Sequence, residues 1–264
     1  LGRPVALKEL LTSSPSGRQR FEREARITAR LQHPGVVPLY EAGHWPNGEP
    51  FYAMKKVDGE ALDQRIASCA TLSERLELLP RVADVAEALA FAHSKRVIHR
   101  DLKPANVLLG DYGETLVVDW GLARELDDED DEVAEDGGGA KAGAADLTVV
   151  GQAMGTPAYM PPEQARGENV DMRADVYALG AILYHLLGGT MAYADSSSAQ
   201  EVLSKVLAGP PRPLDALSSQ LPPELVTIVD KAMARDPDDR YQNAGELADE
   251  LRSFLAGRLV SAHK

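Results

Sequence analysis

The sequence predicts an α+β protein of two lobes: a small, β-rich N-terminal lobe and a larger, mainly helical one. Three observations predict it. The first sixty residues alternate short apolar runs with turns around a single helix-forming stretch. Beyond Gly59, apolar residues recur mostly at helical spacing. The 264 residues, 44% hydrophobic and 26% charged, suffice for one large domain or two lobes sharing a cleft, with a sizeable core.

Residues 4–11, apolar and partly β-branched, suit a short strand. Helix formers fill residues 17–32, and His33-Pro34-Gly35 stops the helix. Residues 36–42 and 50–57 read as two further strands, joined through a Trp45-Pro46-Asn47-Gly48 turn. Residues 72–93 carry Leu76, Leu79, Val82, Val85, Ala86 and Leu89 at helical spacing, with a kink or a helix start expected at Pro80. Two short apolar runs, 97–109 and 115–118, surround polar signatures. Residues 125–146 are acidic, then Gly/Ala-rich; they cannot bury enough surface to order themselves and are expected to be mobile. Helical patterns follow near 172–187, 199–207, 222–233 and 244–255.

The net charge of −13 argues against a nucleic-acid or anionic-membrane partner, which needs basic surface. Nine of the twelve residues from Glu125 to Asp136 are acidic, which leaves only −4 for the rest of the chain. The acidity is therefore a local feature, read first as a solvated insert and second as a tether for basic partners. The one cysteine, Cys69, permits no internal disulfide and is expected to be a small core residue in a reducing, cytoplasmic setting. The longest apolar stretch, 176–187, is too short to span a bilayer and reads as a buried helix. The first residue is Leu1 rather than Met, so the chain is expected to be part of something longer, and a membrane tether outside it stays open.

The chemistry concentrates in His99-Arg100-Asp101-Leu102-Lys103-Pro104-Ala105-Asn106 and, thirteen residues after Asn106, in Asp119-Trp120-Gly121. The first segment resembles the catalytic loop of protein kinases and the second their Asp-Phe-Gly motif. The resemblance spans residues 1–257 and is closest to the bacterial eukaryotic-like (Hanks-type) serine/threonine kinases, whose flavour also shows in Phe21-Glu22-Arg23-Glu24-Ala25 and Val57-Asp58-Gly59-Glu60. It implies a protein-kinase-like fold with residues 1–57 as a partial N-lobe and hinge. Residues 58–257 would form the C-lobe, with an activation segment at 119–163, and residues 258–264 a tail.

The resemblance implies roles residue by residue. Asp101 would orient the substrate hydroxyl, Lys103 would lie near the transferred phosphate, and Asn106 and Asp119 would hold Mg²⁺. Lys8, in Val5-Ala6-Leu7-Lys8, would bind the α- and β-phosphates of ATP, paired with Glu24 in preference to Glu22. Met54 would be the gatekeeper of the adenine pocket, Val57 the hinge residue, and Ala6 and Leu108 the walls around the base. Plain core packing is the alternative for these four apolar residues, and both readings hold together. Glu163, in Pro161-Pro162-Glu163, should pair with a buried Arg240, and Asp175 should tie down the catalytic-loop backbone. Thr156 would contact Asp101 and Lys103, and His99 would stack on Trp120 as a core histidine.

The expected function is that of a non-specific serine/threonine protein kinase using ATP and Mg²⁺ on protein substrates, itself included through a transient homodimer. The forty-five-residue activation segment and Arg100 beside Asp101 suggest control by phosphorylation, with Thr148 as the candidate site. Three features depart from the family: Trp120 for the usual Phe, a dibasic hinge at Lys55-Lys56, and no glycine-rich loop before Lys8. The last predicts an open sheet edge and weak ATP binding for these residues alone. The rival readings are a kinase-shaped scaffold without activity and a small-molecule kinase. Retention of Lys8, Glu24, Asp101, Asn106 and Asp119 speaks against the first, and Gly155-Thr156-Pro157 with Lys103 against the second.

Overall fold

The structure, a computed structural model, describes residues 2–10, 14–126 and 156–263. The mobility expected of the acidic stretch beyond Leu126 and the candidate site Thr148 lie outside the described residues.

The small lobe is one antiparallel sheet with one helix against it. Strand β1 (Val5–Glu9) and strand β2 (Leu39–His44) flank β3 (Pro50–Lys55). In this register Ala6 faces Met54 and Lys8 faces Tyr52 across the ladder. Helix α1 (Pro15–Arg30) begins where Ser14 accepts a hydrogen bond from the Gly17 amide at 3.0 Å, with a proline in its first turn. Its buried residues are Phe21, Glu24, Ala25, Ile27 and Thr28, gathered on one side, so a carboxylate sits inside the packed face.

Residues 36 and 37 depart from the strand expected at 36–42. Val36 makes a parallel bridge to Val117, and the Val37 amide donates to Val117 O at 3.3 Å. This stretch is thus pinned to the larger lobe, and the small-lobe strand starts only at Leu39.

In the larger lobe β4 (Gly59–Ala61), β6 (Val107–Gly110) and β7 (Thr115–Val117) form a second sheet, and β5 (Val97–Ile98) pairs with β8 (Arg124–Glu125). Gly59 has φ +156°, and a Cβ there would fall 2.0 Å from Leu109 O of the paired strand, so only glycine fits this first position of β4. Helix α2 (Leu62–Ser68), not expected from the sequence, is too short for periodicity to reveal, yet it buries Leu62 and Ile66 one turn apart. Cys69, just after it, is only half-buried; it packs at the edge of the core rather than inside it.

The pattern over 72–93 is two helices. Thr71 and Glu74 cap α3 (Leu72–Leu76) reciprocally, and α4 (Leu79–Ser94) starts with Pro80 in its first turn, where the missing N–H costs nothing. Two further helices are α5 (Pro162–Ala165) and α6 (Arg173–Gly188). Helix α6 is buried almost all round, which explains the long apolar run in the sequence, broken only by Gly180 and His185. Around it stand α7 (Ala199–Ala208), α8 (Pro223–Ala232) and α9 (Ala244–Leu255), the last packed along α4. Among the described residues no helix is long and apolar enough to cross a membrane.

Candidate active site

The site lies where the two lobes meet, and it is built on backbone anchors. Asp175, in the first turn of α6, is completely buried and accepts from the His99 amide at 2.8 Å and the Arg100 amide at 3.0 Å. His93 of α4 donates from Nε2 to Asp175 Oδ2 at 2.9 Å, while its Nδ1 accepts from the Ala244 amide at 3.3 Å. Burial pushes the Asp175 carboxyl up, but the His93 hydrogen bond and charge, with the His99 contacts, outweigh it and hold it below the usual carboxylate range. Arg100 is thereby fixed in the left-handed region, at φ +66°. Its carbonyl accepts from Gln164 Nε2 of α5 at 2.9 Å.

Asp101 follows, and its carboxylate takes Lys103 Nζ at 2.8 Å. Asn106 donates from Nδ2 to Asp101 O at 2.8 Å, and among the described residues its amide oxygen is left to meet a ligand. The Val118 amide donates to Asn106 O at 3.0 Å, so the catalytic-loop motif and the strand ahead of Asp119 are joined by backbone. His99, fully buried, donates from Nε2 to Val118 O at 3.2 Å. Its ring meets Trp120 at 4.7 Å between centroids but at 52°, a tilted contact rather than the expected stack.

Asp119 is the hinge of the site, with φ +62°. Its Oδ1 receives Lys8 Nζ at 3.0 Å, and Lys8 also meets Glu24 Oε1 at 2.5 Å. Three elements, β1, α1 and the Asp119 turn, converge on one ammonium. Burial lowers the Lys8 ammonium, but Glu24 and then Asp119 overcome this and raise it above its ordinary value. Burial likewise works against the Asp119 carboxylate, and Lys8 beside it holds the group below the usual range. Gly121 keeps the space clear: a Cβ there would lie 3.2 Å from Glu24 Oε2 and 3.3 Å from Asp119 Oδ1. Of the two glutamates weighed for Lys8, Glu22 turns outward to His44 at 3.3 Å.

The residues expected around a nucleotide base are less concentrated. Ala6 and Met54 are neighbours across the β1–β3 ladder, both half-buried. Leu108 belongs to the other sheet, opposite Ala61 and Leu116, and Val57 lies in the link from β3 to β4. At the base of the larger lobe Glu163 meets Arg240 in a two-pronged pair at 2.7 and 2.8 Å, and the Arg240 side chain is fully buried. The side chain of Thr156 lies outside the described residues.

Among the described residues no cluster of three or more His, Cys, Asp or Glu side chains could hold a metal ion. Asn106 and Asp119 instead offer two hard oxygen donors, which suits Mg²⁺, an ion that keeps several waters and shares substrate phosphates.

Among the contacts not foreseen are Tyr52 on Glu24, Gln164 on Arg100, His93 on Asp175 and Lys8 on Asp119. For the first two the sequence signal was position, Tyr52 standing opposite Lys8 in alternating strands and Gln164 following Glu163.

A two-lobed fold with paired lysine and glutamate, an Asp-Lys-Asn loop and a neighbouring aspartate defines a class of phosphotransferase domains. The chain belongs to the family described as "Protein kinase domain", whose profile matches residues 1–251. It is 36% identical over 270 residues to the serine/threonine-protein kinase PknB of Mycolicibacterium smegmatis, covering 100% of this chain and 41% of that protein. It is 37% identical over 285 residues to the serine/threonine-protein kinase PknD of Chlamydia muridarum, covering 97% of this chain and 29% of that protein. The Mycobacterium tuberculosis PknI kinase domain superposes with a TM-score of 0.65 at 29% identity, over 94% of this chain and 85% of that one. The chain thus spans less than half the length of these curated relatives.

Proposed function

We propose that this domain is a non-specific serine/threonine protein kinase, transferring the γ-phosphoryl group of ATP to Ser or Thr hydroxyls of proteins, itself included. The observation that carries the reading is the convergence of Lys8, Glu24 and Asp119 on one side and Asp101, Lys103 and Asn106 on the other, joined through the Val118–Asn106 backbone bond. Lys8 holds the α- and β-phosphates, with Glu24 keeping its ammonium in place. Ala6, Leu108, Met54 and Val57 hold the adenine. Asn106 and Asp119 hold Mg²⁺, which supplies charge neutralisation at the phosphate oxygens.

Asp101 orients the acceptor hydroxyl and takes its proton as the hydroxyl oxygen bonds to the γ-phosphorus. The bond from that phosphorus to the β–γ bridging oxygen breaks, and ADP leaves. Lys103, already 2.8 Å from Asp101, offsets charge on the moving phosphoryl oxygens. A lysine two residues after the aspartate favours Ser/Thr over Tyr acceptors, and relatives of this chain carry the name serine/threonine-protein kinase. Autophosphorylation proceeds between two copies in a transient homodimer, in the cytoplasm.

The test is labelled ATP with Mg²⁺, the purified protein and a generic basic protein substrate, compared with Asp101→Asn. The variant should lose about 10²- to 10⁴-fold in transfer, the range for a positioned acid–base group, while keeping ATP binding. No label on Ser or Thr in the unmodified protein, with ATP bound, would establish a scaffold instead.

A further inference from the structure

We propose that Tyr52 is a positioning residue for ATP binding, its hydroxyl acting through Glu24 to fix the Lys8 ammonium; this rests on the kinase reading above. Tyr52 stands directly opposite Lys8 in the β1–β3 ladder, and its side chain is 3% exposed. Its hydroxyl donates to Glu24 Oε1 at 2.5 Å, the same oxygen that Lys8 Nζ meets at 2.5 Å. The Lys8 ammonium lies 5.9 Å from the Tyr52 ring centroid, and the ring packs on Phe21 at 5.1 Å. Tyr52 therefore touches both partners of the lysine–glutamate pair and holds α1 at two successive turns, at Phe21 and Glu24.

A phenylalanine would supply the same packing. Burying a hydroxyl costs free energy unless it is bonded, so the oxygen has a purpose beyond filling the core. A carboxylate with one cationic partner can still rotate about its last torsion. A second donor on the same oxygen, from a rigid buried ring, removes that freedom. The phenol does not compete as an anion: burial, then the neighbouring Glu24 charge, push it well above its ordinary range, so it stays a donor at any working pH.

The experiment is Tyr52→Phe, with Glu24→Gln and the double variant, read by binding of a fluorescent ATP analogue, by KM and kcat, and by amide exchange in α1. Hydrogen bonds to charged groups are the strong ones, and Lys8 retains Glu24, so Tyr52→Phe should raise the analogue Kd and the ATP KM about three- to tenfold. At saturating ATP kcat should stay within about twofold, because the lost contact serves ground-state binding. Exchange at 24–30 should quicken. In the Glu24→Gln background Tyr52→Phe should add less than about twofold, since residues acting through one group are not additive.

An unchanged Kd and KM in Tyr52→Phe, with or without a lower Tm, would overturn the inference. So would a full Tyr52→Phe effect persisting beside Glu24→Gln. A protein whose ATP binding responds as expected but which transfers no phosphate would defeat the proposed activity and leave this inference standing. A protein that binds no ATP defeats both.

Discussion

Arg240→Met separates a buried structural ion pair from the exposed pairs elsewhere. The Arg240 guanidinium is fully buried and donates to Glu163 at 2.7 and 2.8 Å, to Ala234 O at 2.7 Å, to Arg173 O at 3.1 Å and to Arg235 O at 3.2 Å. Methionine preserves much of the stem and removes every donor. Three carbonyls lose a partner, and the Glu163 carboxylate, 7% exposed, is stranded without its cation. Breaking one side of a buried pair costs about 3–5 kcal/mol. At about 2–4 °C per kcal/mol for a chain of this class, Tm should fall by about 6–20 °C. Thermal unfolding followed by circular dichroism measures it. Most of the cost is the stranded charge, so adding Glu163→Gln to Arg240→Met should recover about 1–3 kcal/mol. A loss below about 1 kcal/mol, the range of an exposed pair such as Arg30–Glu125, would refute the reasoning. Further destabilisation on adding Glu163→Gln would refute it equally.

Gln164→Met removes the donor to Arg100 O and leaves the left-handed backbone next to Asp101 held by Asp175 from the amide side only. Steady-state kinetics should show kcat lower by about three- to tenfold with an unchanged ATP KM, and a shift confined to KM would count against a role through the catalytic loop. Asp175 gives the pH dependence. Its folded-state pKa lies below the ordinary 3.8, so its contribution is complete above that value and is lost as pH falls through the lower folded value. Urea midpoints measured from pH 7 down to about 2 should therefore fall less steeply for Asp175→Asn than for the unmodified protein, although the variant starts lower; parallel acid limbs would exclude the linkage.

The loop that carries Asp101, Lys103 and Asn106 was the most legible part of this chain. Asp101, Lys103 and Asn106 fall within six residues of one another, so the loop that gathers them is local and its motif survives intact in the sequence. The large-lobe helices were legible for a related reason: α6, α7, α8 and α9 each run for ten residues or more with apolar faces that repeat. Legibility failed where the segment was short or its partner distant. Helix α2 has seven residues, too few for a period to stand out. Residues 36 and 37 carry strand-forming side chains, but Val117, eighty residues away in the chain, claims their backbone first. Pro80 announced a kink or a helix start and could not say which; the structure makes it a start, with α3 ending at Leu76 and Pro80 in the first turn of α4.

Sequence alone therefore determined the two lobes and the long helices of the larger one, and offered the candidate groups for handling phosphate, because these are written in local pattern and in motifs of a few residues. Tertiary structure decided which groups meet. It seated Glu24, already preferred to Glu22 in the sequence, on Lys8, because Glu24 lies on the stripe of α1 that faces the sheet while Glu22 turns outward to His44. It brought Tyr52 to Glu24, Gln164 to Arg100 and His93 to Asp175, pairs separated by 28, 64 and 82 residues. The physical reason is that a buried polar group must find a partner somewhere, and packing, not spacing along the chain, determines which one is within reach.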